Sequence, residues 1–419
     1  MTDLLLRRAR IADDSDLVDI AVTAGVITAV GRVPDTRATT EIDCAAMVVV
    51  PGLIETHVHL DKALLDLEHA PSEPGLAAAI AVTGALKRGF TASDVRDRAR
   101  RVLDQAIVNG TTAMRVHPDV DPIVGLLGVD VLLGLREEYR GLIDLQIVAF
   151  PQEGILRAPG TLDLLREALR RGADVVGGCS YNEATVADCR AHVDLVFDLA
   201  AEFGVDVDIH ADFADDDRDP RFALADYIAD ATVRAGLSGK VALGHMTALA
   251  GRSPDRRRAT MARLAHAGVA VVTLPATDMH LGGRGDTINV RRGIAPVREL
   301  WTAGVTTAYS SNNIRNAFTP YGNADLLELG LFLAQTGHLS GAADLARVLD
   351  MATGQAAAVL GIAERHGIRP GADADLVVLS TERVADVLLD RPDRRWVIKG
   401  GRVVATTTRV SEIVARVPA

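Results

Sequence analysis

Pro51 to Lys62 reads PGLIETHVHLDK. The apolar run Met47, Val48, Val49, Val50 leads into the Pro-Gly pair, and His57 and His59 follow two residues apart. On a strand, residues i and i+2 share a face, so both imidazoles point the same way. Two neutral imidazoles on one face begin a metal site for zinc, iron or a similar borderline ion. The bland alternative is a pair of polar histidines on an exposed strand end. Placement just after a buried apolar run favours the metal.

Histidines recur where other strands end. His117 closes AMRVH, His210 closes VDVDIH and His245 closes VALGH. Polar residues at the C-terminal ends of barrel strands face the active-site mouth. Taken singly, each of these has a structural hydrogen bond as its alternative reading. Four strand ends, one of them carrying H-x-H, point to a metal centre. His69, His192, His266, His338 and His366 fall in helices or loops and read as surface residues.

Around the histidines the texture changes twice. Residues 1–50 read as short strands, with Asp19 to Val22 and Val26 to Val30 forming a hairpin. From residue 51 helical patterns alternate with apolar strands: Thr111 to Val116, Ile143 to Phe150, Asp174 to Val176, Val205 to His210, Val241 to His245, Val269 to Leu274 and Thr306 to Ser310. Such repetition implies a parallel sheet, closed into a barrel or doubly wound. The tail returns to β structure at Gly371 to Leu379 and Arg395 to Thr406, with Gly400-Gly401 as a hairpin turn. We expect three segments: 1–50 and 370–419, which together build a small β-sandwich, and 51–369, the βα body.

The 419 residues are 48% hydrophobic, ample for a large core. A formal net charge of -11 argues against a nucleic-acid partner. No stretch reaches the ~18 apolar residues of a membrane span, so no membrane partner is expected. Cys44, Cys179 and Cys189 are too few and scattered for a disulfide framework, which makes the cytoplasm the default location.

The order H-x-H, later His, later His, with PGLIETHVH near the front and PGADADLVVL near the back, resembles the amidohydrolase superfamily. The segments ETHVHLDKALL, AFPQEGIL, DIHADFADD, GHMTAL, MHLGGRGD and TPYGNADLLELG are similar to its cytosine deaminase-like branch, which includes cytosine deaminase and N-isopropylammelide aminohydrolase. The resemblance implies a (β/α)8 TIM-type barrel with one divalent metal ion, zinc or iron, held by His57, His59 and His210. It implies that Gln152 hydrogen-bonds a flat nitrogen heterocycle and that His245 contacts the metal's water or the charge developing on the substrate. It also suggests a homo-oligomer. A metal lowers the pKa of bound water toward ~7, which suits hydrolysis of an amide or amidine carbon.

Two positions depart from the family. Asn312 stands where the family has a metal-binding aspartate, and Phe213 where it has a proton-shuttling glutamate. Neither Asn nor Phe carries a proton near pH 7. Asp212 is the first candidate to replace them, with Glu183, Asp119 and His245 nearby by strand-end position. Asp61, in phase with His57 and His59, is expected to orient a ligand imidazole, and Lys62 to point the other way. His280 and Arg284 either line the pocket or brace their loop.

The leading reading is a metal-dependent hydrolase of a non-peptide C–N bond in a small nitrogen heterocycle, by deamination or by cyclic amide or amidine hydrolysis. Catalysis is expected from His245, Asp212 and Asn312, and substrate contact from Gln152, His280 and Phe213. One rival keeps fold and metal but gives an atypical enzyme of a specialised pathway with other proton carriers. Another is a catalytically dead ligand-binding homologue.

Overall fold

The computed structural model describes residues 2–34, 36–65 and 75–414. His69 lies outside them. The chain forms two compact units, residues 53–366 and the two terminal segments, 1–52 with 367–419.

The terminal unit holds two four-stranded sheets. Strands β1 (Thr2–Ala9), β2 (Val18–Thr23), β3 (Val26–Gly31) and β4 (Ala38–Asp43) make the first, in the order β3-β2-β1-β4. The hairpin expected from Asp19 to Val30 is the antiparallel pair β2–β3. Strand β4 reads ATTEID, mostly exposed and without an apolar run, so the sequence gives little sign of it. The second sheet joins β5 (Val48–Pro51) to three strands near the C-terminus, introduced below. Leu4, Leu6, Ile20 and Val22 share one buried cluster with Val49, Leu376, Val378 and Ile398. Residues more than three hundred positions apart thus bury one small core.

The larger unit is the barrel. Its strands are β6 (Leu53–Val58), β7 (Thr111–Val116), β8 (Asp144–Ala149), β9 (Val175–Cys179), β10 (Asp206–Ala211), β11 (Val241–His245), β12 (Ala270–Thr273) and β13 (Thr307–Tyr309). They lie in sequential order with parallel pairing. A parallel bridge between Val58 and Asn312 joins the last strand to the first. The chain then returns to the terminal unit as β14 (Leu376–Leu379), β15 (Arg394–Lys399) and β16 (Arg402–Thr406), giving the sheet order β16-β15-β14-β5.

Local signals explain how the barrel units alternate. The helix Ala92–Val108 starts at Thr91, whose hydroxyl accepts from the Asp94 amide, and buries Val95, Ala99, Val102 and Leu103. The helix Thr161–Arg171 stops at Gly172, whose φ of 111° is strained for any residue with a Cβ. Each stop returns the chain to the bottom of the next strand. The polar residues at the strand tops therefore gather at one end. Among the described residues, no helix is long and apolar enough to cross a membrane.

Candidate metal centre and active-site cleft

Strand β6 carries Glu55 and His57 on one face, His59 follows just past its end, and all three are buried. His210, near the end of β10, reaches the same point. Its Nε2 lies 3.0 Å from His57 Nε2 and 3.1 Å from His59 Nε2. His59 Nδ1 is 2.7 Å from the carbonyl oxygen of His117, an acceptor only, so the proton sits on Nδ1 and Nε2 keeps its lone pair. Burial, then neighbouring positive groups, hold His59 and His210 well below the ordinary imidazole range and bring His57 down to about 3. Three neutral rings thus aim nitrogens at one spot.

That arrangement fits a divalent ion. Nitrogens ~2.1 Å from a tetrahedral ion sit about 3.4 Å from one another, close to the spacing found. Lone pairs converging in a buried space repel unless a cation lies between them. A second group, His57, His117 and Asp208, also brings ligand atoms together. Asp208 supports the first group from below. Its Oδ1 lies 3.5 Å from His57 Nδ1 and 3.2 Å from His117 Nε2, and its Oδ2 accepts from Arg115 at 2.9 Å. Burial opposes ionisation of Asp208, but His117 and His57 outweigh it and hold the carboxyl well below its usual range. Such carboxylate–imidazole contacts orient a ligand ring. His117 stacks on His57 with ring centres 3.8 Å apart. It is a packing partner of the ligand ring, not one of the three converging nitrogens.

The fourth strand-top histidine, His245, stands beside this centre, its ring centre 5.1 Å from that of His210. Its Nδ1 lies 2.7 Å from Asp278 Oδ1. Phe213 stacks flat on it, with ring centres 3.9 Å and an interplanar angle of 9°. Asn312 closes the barrel through its backbone and lines the cleft with its side chain, whose buried Oδ1 has no hydrogen-bond partner. Space here is tight. A Cβ added to Gly244 would stand 3.0 Å from His57 Cε1.

Gln152 lines the same narrow cleft. Lys62 donates to Gln152 Oε1 at 3.0 Å and to Asp119 Oδ1 at 2.8 Å. Lys62 therefore points toward the cleft, contrary to the strand-phase expectation. Strand β6 ends at Val58, so alternation no longer governs residue 62. The same break redirects Asp61, whose carboxylate accepts from the Asp119 amide at 2.9 Å and not from a ligand histidine.

Other expected residues sit elsewhere. The Asp212 carboxylate accepts from the amides of Leu224 and Ala225 and pairs with Arg252 at 3.3 Å. It ties down the loop after β10. Glu183 accepts from the amides of Ile155, Leu156 and Arg157 and lies 2.8 Å from His192 Nδ1, which shapes the Gln152 loop. Asp119 is taken up by Lys62 and Lys87. His280 lies 3.1 Å from Arg284 and edge-on to Tyr321, bracing its loop. His192 and His366 are buried, not at the surface. His192 accepts from the Cys179 amide at 3.1 Å, a role invisible in a helical sequence context. His266 and His338 are exposed, as expected.

Sequence reasoning missed Glu55, Asp208 and Asp278. Two of these had a signal. Glu55 precedes His57 by two, and Asp208 precedes His210 by two, so each shares the face of its histidine. Nothing in TDMH marks Asp278.

Residues 40–405 match the model of the amidohydrolase family. The chain belongs to that family. The amidohydrolase is 29% identical over 412 residues to N-isopropylammelide isopropyl amidohydrolase of Pseudomonas sp. (strain ADP), covering 96% of this chain and 97% of that one. It is 32% identical over 393 residues to pterin deaminase of Rhizobium rhizogenes, covering 92% and 87%. Its fold is similar to 5-methylcytosine deaminase from Klebsiella pneumoniae, solved with 5-fluorocytosine, at a TM-score of 0.92 and 28% identity over 98% of this chain and 99% of that one. The resemblance seen in ETHVHLDKALL and AFPQEGIL therefore extends along nearly the whole chain. The amidohydrolase is a hydrolase of carbon–nitrogen bonds other than peptide bonds, built on a (β/α)8 barrel with a buried histidine and aspartate cluster suited to a divalent metal.

Proposed function

We propose that the enzyme hydrolyses an exocyclic or ring C–N bond of a small, single-ring nitrogen heterocycle of the pyrimidine or triazine class. The convergence of His57, His59 and His210 beside Gln152 carries this reading. Likeness to proteins named for isopropylammelide and 5-methylcytosine supports a single ring, and likeness to a pterin deaminase puts fused pterin rings into the same screen.

His57, His59 and His210 would hold one divalent ion, and an all-imidazole set suits zinc or iron. When bound, the ion supplies Lewis acidity that makes water nucleophilic at neutral pH. The chain's own residues do the rest. Lys62, a donor only, holds the Gln152 carboxamide oxygen, and the NH2 group, which gives one hydrogen to Cys179 Sγ at 3.7 Å, keeps the other for a ring acceptor. Phe213, Phe318 and Tyr181 wall the cleft and limit water. Water adds to the ring carbon and gives its proton to His245 Nε2. His245 then returns that proton to the departing nitrogen as the C–N bond breaks. Asn312 positions through its free Oδ1 but takes no proton.

We read the enzyme as cytoplasmic, where its three free, buried cysteines stay reduced. Family resemblance alone suggests a homo-oligomer, which light scattering would decide. The activity test is a screen of zinc- and iron-loaded protein against pyrimidines, triazines, pterins and lactams. We expect turnover of a single-ring substrate and little or no ammonia from cytosine. Efficient cytosine deamination would mean that Phe213 and Asn312 do not stand where proton carriers are needed. No turnover of any ring, with metal bound, would support the ligand-binding alternative.

A further inference from the structure

Beyond the His57, His59 and His210 triad, few of the described groups at the cleft can move a proton. The lining side chains include His245, Tyr181, Gln152, Thr277 and two asparagines. Burial pushes the Tyr181 phenol well above its ordinary range, and amides and threonine do not titrate near neutrality. Among the described residues His245 is left as the proton carrier, and its surroundings are unusually fixed. Phe213 covers one face of its ring. Both His245 and Met246 adopt left-handed backbone, with φ of 72° and 60°, a conformation that costs energy and persists where surrounding structure enforces it. On the ring's far edge stands Asp278, fully buried, in the first turn of the helix Pro275–Leu281. One carboxylate oxygen meets His245 Nδ1 at 2.7 Å, and the other accepts from the Leu274 amide at 3.0 Å.

We propose that Asp278 is a positioning residue that holds His245 with its proton on Nδ1, so that Nε2 presents a lone pair to the cleft. Asp278 itself does not touch the substrate. The carboxylate accepts from Nδ1–H in the resting ring and stabilises the imidazolium formed when Nε2 takes the proton of water. The Leu274 bond keeps the carboxylate from rotating away. This deepens the reading of the site as a hydrolase of C–N bonds and rests on it for its catalytic part.

The rival account makes Asp278 a helix cap and nothing more. Asp278→Asn separates the two. The carboxamide keeps an oxygen for the Leu274 amide but turns its NH2 toward His245 Nδ1, which forces the proton onto Nε2. The test uses full-length, zinc-loaded protein labelled with 15N-histidine, the His245 signals being those missing from His245→Gln. We expect Nδ1–H in the native enzyme and in Asp278→Glu, and Nε2–H in Asp278→Asn. Zinc content should be unchanged in all three. On the best substrate of the screen, Asp278→Asn should lower kcat ~10²–10⁴-fold, with KM within about threefold and Asp278→Glu recovering part of the loss. Native His245 protonated on Nε2, or Asp278→Asn with kcat within threefold of native, would overturn the proposal. If Asp278→Asn does not fold, the native and Asp278→Glu spectra still decide the tautomer. If no heterocycle is turned over, the hydrolase reading fails while the spectra still decide the role of Asp278.

Discussion

The Asn312 amide donates to the His57 carbonyl oxygen at 2.9 Å, so the segment just past the eighth strand is seamed to the first at a candidate metal ligand. The seam continues two residues past His57, where the His59 amide donates to the Asn312 carbonyl at 2.8 Å. Beneath it Glu55 clamps the same loop. Ser310 Oγ donates to Glu55, the Ser311 amide donates at 2.8 Å and Ser311 Oγ at 2.6 Å. The strand bearing His57 and the segment bearing Asn312 are thereby tied together.

Removing the clamp should loosen both stability and metal. Glu55→Ala leaves three buried donors unpaired, each worth ~1–3 kcal/mol, although the serine hydroxyls can partly re-pair. We expect a loss of about 2–5 kcal/mol in denaturant unfolding and a metal affinity weakened ~10–100-fold. Native stability with native affinity would show that the clamp does not hold the ligands.

Asn312→Asp should bind metal at least as tightly, because it adds a negative charge beside the cation. It also adds a base, and it lowers the net positive charge that acidifies water. These two effects on rate oppose each other, so the expected change is in the shape of the pH–rate profile. Competitive chelator titration and a pH series check this. If neither affinity nor profile changes, the Asn312 side chain is remote from the centre.

The imidazoles give the metal-free protein a signed pH dependence. Burial lowers the folded pKa of His57 to about 3 and those of His59, His117 and His210 below their ordinary value. Below about pH 6.5 the unfolded chain binds protons that the folded chain refuses. Their contribution is thus fully present above pH ~6.5 and is lost as pH falls toward the folded pKa values. We expect the melting temperature of the metal-free protein to drop from pH 7.5 to pH 5. Native and His57→Gln proteins compared over that range should show a shallower drop in the variant. An identical slope would mean that His57 is protonated in the folded protein.

The barrel was legible in the sequence because each of its strands is a short apolar run ending in polar residues, set between helical patterns. The three converging histidines were legible for the same reason, since they close such runs. What stayed hidden depends on long-range partners. Asp212 reads as a strand-end carboxylate, and only the folded chain reveals Leu224, Ala225 and Arg252 taking its oxygens. Lys62 was misread because the strand stops four residues earlier and the chain turns. Asp278 lies 33 residues beyond His245, and no periodicity connects them. Strand β4 pairs in parallel with β1 and adds the ion pairs Arg7–Glu41 and Arg8–Asp43, partners that no apolar pattern announces.

Metal content tests the central claim most directly. Purified native protein, analysed by elemental mass spectrometry, should carry about one divalent ion per chain. His57→Ala and His210→Ala should each lose most of it while remaining folded by circular dichroism, because each removes one of three converging nitrogens. A His57→Ala/His210→Ala double variant that keeps one ion per chain would contradict the account.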